Sequence, residues 1–234
     1  MMAKDSKEAG KTAAKPRRRA TRQAPTVRRQ DLLEVTIRCL ANLGARGTTG
    51  REVCRQAGVS HGLLRHYFKN PQNLLYETYE ELCDRFLEQL EAELDVEQPD
   101  PWLYLDGFFN ALFSNEWASS DLLGAYMAFW SLARTNPEFA EKSEQFNARL
   151  RELLAAAMER LPRNEGALPF EDAVPIMSAT MDGLWLDFCL SPTRTPRDRA
   201  ITLCNRTLRQ LFPHPGDAAA QDAETARPRV RAVS

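Results

Sequence analysis

Between Thr49 and Phe68 the chain reads TGREVCRQAGVSHGLLRHYF, and no other stretch limits the fold as tightly. Thr49 is placed to N-cap a helix whose third position is Glu52, so hydroxyl and carboxylate can satisfy each other's orphan backbone donors in a capping box. Gly58 then ends that helix, because glycine takes the left-handed backbone of a tight turn at no steric cost. Val59 is apolar in the middle of the turn and is expected to point inward. Ser60 follows as the N-cap of a second short helix. Two short helices joined by a capped turn make a helix-turn-helix, whose second helix can enter a DNA major groove.

Charge is divided along the chain in the same sense. Residues 1–80 hold sixteen Lys and Arg against seven Asp and Glu, and residues 81–234 hold fifteen against twenty-five. A formal net charge of −1 therefore conceals +9 followed by −10. Such a split is expected if only the first part touches a polyanion, the plainer alternative being chance variation along a soluble chain. The five cysteines (39, 54, 83, 189 and 204) are scattered and form no C-x-x-C pair. That pattern argues against a disulfide framework or a zinc site and fits a reducing cytoplasm. No apolar run approaches the ~18 residues of a membrane span. The N-terminus is basic without an apolar signal core, so a cytoplasmic location is expected.

Helical periodicity runs from Arg28 to Phe212, giving an all-α chain of about nine helices. Residues 1–27 are basic, poor in apolar residues and expected to be disordered. There Arg17, Arg18 and Arg19 suit phosphates or a minor groove, with a merely solubilising leader the equal alternative. Residues 28–75 form the helix-turn-helix domain. Its core is expected from Leu33, Ile37, Leu40 and Ala41 together with Val53, Ala57, Val59, Leu64 and Phe68, with Gly44 closing the first helix. Residues 76–212 form a second helical body, entered along a helix that starts at Pro71 and has one apolar and one acidic face. N-cap and proline pairs open further helices at Asp100-Pro101, Asn136-Pro137 and Thr195-Pro196, and Ser120 opens another. Residues 213–234 read as a disordered tail.

On a helix beginning after Ser60, His61 and Arg65 share the face opposite Leu64 and Phe68. Arg65 can fork onto the O6 and N7 of guanine, a contact worth ~1–3 kcal/mol of discrimination, and His61 can meet a base edge. Gly62 lets the backbone approach closely. His66, Tyr67 and Lys69 suit phosphate contacts that set register. With the caps Thr49 and Ser60, these make up the candidate DNA-binding set. Metal binding is not expected: His61 and His66 lie about 140° apart around a helix of ~3.6 residues per turn. Catalytic motifs are lacking, with no G-x-S-x-G elbow, phosphate loop or H-E-x-x-H, and no cofactor is implied. Cys39 and Cys54 are expected in the small core, a redox-sensing thiol being the alternative.

The second body is rich in aromatics, among them Trp102, Phe109, Tyr126, Trp130 and Trp185, with Asp106, Asp182 and Asp187 nearby in sequence. Most such rings are expected to be core. Rings beside a carboxylate also form a box for an organic cation. The candidate ligand-binding set is Trp102, Phe109, Tyr126, Trp130, Asp182 and Trp185. On composition alone, an all-α enzyme or small-ligand carrier with an incidental basic arm remains open.

Thr49 to Phe68 with the following Asn73-Leu74-Leu75 resembles the DNA-binding head of the tetracycline-repressor (TetR) family. Ala128-Phe129-Trp130 and Met181-Asp182-Gly183-Leu184-Trp185-Leu186 resemble its BetI branch of choline-responsive betaine regulators. The resemblance covers about Arg28 to Phe212. It implies a regulator of transcription, most simply a repressor, an activator being the alternative. It also implies binding to an operator in double-stranded DNA and a homodimer joined through helices at about 170–190 and 195–212. A choline-like effector would occupy the C-terminal body. The family's base-reading positions fall on His61, Gly62 and Arg65, and a phosphate contact on Tyr67. Two positions depart from its pattern: Pro71 stands where a lysine is usual, and Gly50 where the second helix commonly starts with an apolar residue.

Overall fold

The computed structural model describes residues 25–95, 97–191 and 193–213. Among the described residues there are nine helices and no strand. They are α1 (Pro25–Gly47), α2 (Gly50–Ala57), α3 (His61–Phe68), α4 (Pro71–Leu94), α5 (Pro101–Leu112), α6 (Ser120–Ala133), α7 (Pro137–Glu159), α8 (Phe170–Leu190) and α9 (Arg197–Leu211). The first helix takes in Pro25 to Val27 and so starts earlier than expected; the residues up to 24, with Arg17, Arg18 and Arg19, lie outside the described residues. So does the tail from residue 214.

Two apolar clusters divide the molecule. The smaller holds Leu32, Leu33, Val35, Cys39, Val53, Cys54, Leu64, Phe68 and Leu74, with Ala57, Val59 and Tyr67 packed at its edge. This differs from the expected core in one respect. Of the expected α1 stripe only Leu33 points here; Leu40 belongs to the larger cluster, and Ile37 packs against it. The first helix is long enough to serve both cores from two faces. Gly44 does not close it but kinks it at φ 66°, and one more turn runs on to Gly47.

The fourth helix is the second bridge between the cores. Leu74 belongs to the small one, while Tyr76, Tyr79, Leu82, Phe86 and Leu90 belong to the large one. Arg29 ties the two bridges together, donating to Glu77 at 2.6 Å with its guanidinium 5.6 Å from the Phe68 ring centre. The acidic face of α4 is also used in packing: Glu80 pairs with Lys142 and Glu91 with Arg149, both on α7.

Helix starts follow the expected chemistry at Asp100 and Asn136, whose side chains accept backbone N–H bonds. Before α6 the cap is Ser119, not Ser120, and it accepts from Leu122 N. Thr195 does not cap α9, because its hydroxyl is drawn to the Asp187 carboxylate and the chain enters the helix through Pro196.

Candidate nucleic-acid interface and aromatic cavity

In the head, Thr49 Oγ1 accepts from Glu52 N at 3.2 Å and starts α2. The reciprocal half of the capping box is absent. The Glu52 carboxylate instead takes the Arg55 guanidinium and the Gln56 amide, and those bonds hold its pKa down to about 2. Gly58 ends the helix at φ 65°, ψ 32°. Val59 is half-buried against the small core rather than fully inside. Ser60 Oγ then accepts from Leu63 N at 3.2 Å and starts α3.

This turn orients α3. Leu64 and Phe68 are buried, while His61, Gly62, Arg65 and His66 are exposed. Among the described residues, no ion pair or side-chain hydrogen bond engages His61 or Arg65, so both are available to an external partner. Tyr67 lies half-buried at the edge of the small core, its ring 5.2 Å from that of His66. Lys69 follows with φ 60° and ψ −52°, and Asn70 N donates across it to Phe68 O. That is the strained, positive-φ form of γ-turn. It stops the helix abruptly and leaves the lysine exposed.

The two departures from the family pattern meet here. A Cβ placed on buried Gly50 would lie 2.9 Å from Pro71 Cγ. The absence of a side chain at 50 therefore does not leave α2 poorly packed, because the proline ring occupies that space.

In the body, a cavity of about 400 Å³ lies among α4, α6, α7 and α8. Tyr79, Phe86, Trp117, Tyr126, Trp130, Phe146 and Trp185 give it aromatic walls, and Leu112, Leu150, Gly183 and Leu186 complete the apolar part. Asn147 and Arg151, one turn apart on α7, and Ser178 and Asp182, one turn apart on α8, supply the polar groups. The rings are braced: Trp185 Nε1 donates to Trp117 O at 2.9 Å, and Trp117 Nε1 donates to Gln89 Oε1. Tyr126 meets Trp185 edge-on at 5.7 Å, and Phe86 meets Trp117 at 5.1 Å. Desolvation by neighbouring groups raises the Asp182 carboxyl above the ordinary range, and the Arg151 charge opposes the rise. The residue as a whole still reaches solvent, so it stands at the mouth rather than the floor.

Four of the six candidate ligand residues thus line one cavity: Tyr126, Trp130, Asp182 and Trp185. Two do not. Phe109 is fully buried in the main core, and Trp102 carries the Arg209 guanidinium 4.5 Å from its ring centre. Asp106 and Asp187 have structural partners instead, Asp106 binding Asn205 and Asn110, and Asp187 binding Arg194 and Thr195. The thiol alternative also loses support. Burial raises the pKa of both Cys39 and Cys54, which keeps the unreactive thiol form. Among the described residues no cluster suited to a metal occurs, and no helix is long and apolar enough to cross a membrane.

The model for bacterial regulatory proteins of the tetR family matches residues 32–78, and that for the C-terminal part of BetI-type transcriptional repressors matches residues 104–213. Over 186 residues the chain is 28% identical to the HTH-type transcriptional regulator BetI of Yersinia pestis, covering 79% of this chain and 92% of that one. A solved structure of a transcriptional regulator from Pseudomonas aeruginosa superposes with a TM-score of 0.71 at 27% identity, over 82% of this chain and 93% of the other. Another, from a Rhodococcus species, gives 0.65 at 25% identity over 78% and 95%. Head and body are both matched within a single family. The chain belongs to the TetR family.

As a TetR-family member with a BetI-type C-terminal half, the protein is a DNA-binding transcriptional regulator. The sequence reading of its cavity omitted Tyr79, Phe86, Phe146, Asn147 and Arg151. In the sequence these lie on α4 and α7 helical stripes that look like ordinary core and surface, and only the crossing of α7 over α4 brings them to the rings of α6 and α8.

Proposed function

We propose that this TetR-family regulator is a cytoplasmic, homodimeric repressor whose aromatic cavity binds a small organic cation, and that binding releases it from its operator. The observation that carries this reading is Asp182 at the mouth of a cavity walled by seven aromatic rings. Ring faces and one carboxylate attract an onium group, which gains ~2 kcal/mol or more per well-placed ring when desolvated. Choline fits this chemistry and is the effector implied by the BetI-branch resemblance.

At the DNA, His61 and Arg65 read bases and Gly62 allows close approach, while His66, Tyr67 and Lys69 contact phosphates. Thr49 and Ser60 hold the turn through their caps. Two heads on one dimer must sit ~34–36 Å apart to enter successive major grooves. Support for a dimer seam comes from α8, where Ile176, Ala179, Gly183 and Leu190 face outward at spacings of three, four and seven. Ile176 is 43% and Leu190 62% exposed, a poor arrangement for an isolated protomer. In this reading α8 and α9 pack against their partner-subunit copies.

The sixth helix links the two sites. Tyr126 and Trp130 face the cavity, while Gly124 packs so closely on α1 that a Cβ there would lie 2.9 Å from Ala41 O. In this reading a ligand that shifts α6 presses on α1 at Ala41 and so acts on the head.

The test is a gel shift with DNA from immediately upstream of the chain's own gene. Retardation at low salt that choline reverses, and that its neutral isostere 3,3-dimethylbutanol does not, is the expected result. A folded dimer that shifts no such DNA would sink the operator reading, and reversal by both compounds would sink the cation reading.

A further inference from the structure

Beside the aromatic cavity lies a second hollow of about 330 Å³, at the C-terminal end of α6 and along α7. Arg134, Ser143, Glu144, Asn147 and Arg151 supply its polar groups. Asn147 and Arg151 line both spaces, so the two adjoin at these side chains. Donors dominate the second hollow: two guanidiniums, an amide and a hydroxyl face one carboxylate. Among the described residues, neither Arg134 nor Arg151 is held in an ion pair, with Glu144 or with any other acid. The hollow therefore keeps an excess positive charge, whereas the adjoining cavity has Asp182 as its carboxylate.

A ligand with a cationic group alone leaves the arginines of this second hollow unmatched. An onium group beside Asp182 would face Arg151 across the mouth, and that arginine already stabilises the ionised Asp182. An anionic group on the same ligand would remove the conflict by occupying the arginines. Guanidiniums present forked donors that match a carboxylate in shape as well as charge.

We propose that the second hollow is the anion subsite of the same ligand site, and that the ligand is a zwitterion. Its onium head lies among the rings beside Asp182. Its carboxylate lies on Arg134 and Arg151, and a short aliphatic chain passes Asn147. The proposal rests on the cation reading of the aromatic cavity and adds a second point of recognition to it.

Isothermal titration of the full-length protein with three probes tests this: choline, 4-(trimethylammonio)butyrate, and 5,5-dimethylhexanoate, the last lacking the positive charge. The zwitterion is expected to bind at least about tenfold more tightly than choline, as two charge-assisted contacts warrant. Arg134→Ala is expected to remove that gain while leaving the choline Kd unchanged, because Arg134 does not line the aromatic cavity; Arg134→Gln with unchanged helicity guards against a folding artefact. Equal affinities for choline and the zwitterion, or a gain that survives both variants, would overturn the anion subsite alone. Arg134-dependent binding of 5,5-dimethylhexanoate with no binding of choline would overturn the cation reading, and the zwitterion with it.

Discussion

A Cβ at Gly50 would meet the Pro71 ring at 2.9 Å, and that ring opens α4 just beyond α3. The two residues are therefore predicted to be energetically coupled. Gly50→Ala should cost about 1–3 kcal/mol by overpacking, and adding Pro71→Ala should recover much of it. A double-mutant cycle in urea checks this, additive losses being the contrary result. Arg65 belongs to the same scale. Arg65→Ala should weaken operator binding by about 1–3 kcal/mol while leaving random-sequence binding nearly unchanged; equal losses on both DNAs would make it a phosphate contact. In the body, Asp182 is predicted to set the pH response of cation binding. Its carboxyl is raised by desolvation, and only the ionised form attracts a cation. Choline affinity should thus hold at neutral pH and fall on acidification at a pH above the ~3.9 of a free aspartate. Asp182→Asn should flatten that profile, which titration calorimetry at several pH values would show.

At the scale of elements, the proposed switch rests on α6 and α8. Gly124 lets α6 touch the α1 backbone at Ala41, a contact a methyl group would break. Gly124→Ala should cost about 1–3 kcal/mol and, more tellingly, alter the effect of choline on operator affinity more than it alters choline binding. On α8, Ile176→Glu should shift the protein toward monomer in sedimentation with helicity retained, since Ile176 is exposed on the protomer. Most element starts were legible in the sequence because their signals are local: Asp100 and Asn136 act on N–H groups two or three residues away. Thr195 misled because a distant acid, Asp187, competes for its hydroxyl. The first helix misled for a related reason. A single stripe through Leu33 and Leu40 reads as one face, yet the two residues lie in different cores.

For the whole molecule, the helix-turn-helix was legible and the cavity only partly so. Thr49 to Phe68 is a contiguous motif, and its capped turn fixes which side chains point outward. The cavity is assembled from α4, α6, α7 and α8, and periodicity alone does not distinguish a ring that lines a void, such as Tyr126, from one that fills the core, such as Phe109. The two sites make a switch only if they are thermodynamically linked. Linkage is reciprocal: if choline weakens operator binding by some factor, the operator must weaken choline binding by the same factor. The most direct measurement is the choline Kd of the full-length dimer with and without saturating operator DNA, beside the operator Kd with and without saturating choline. Equal factors of about 5–150, the usual range of such coupling, are predicted. A choline Kd that operator DNA leaves unchanged would contradict the switch.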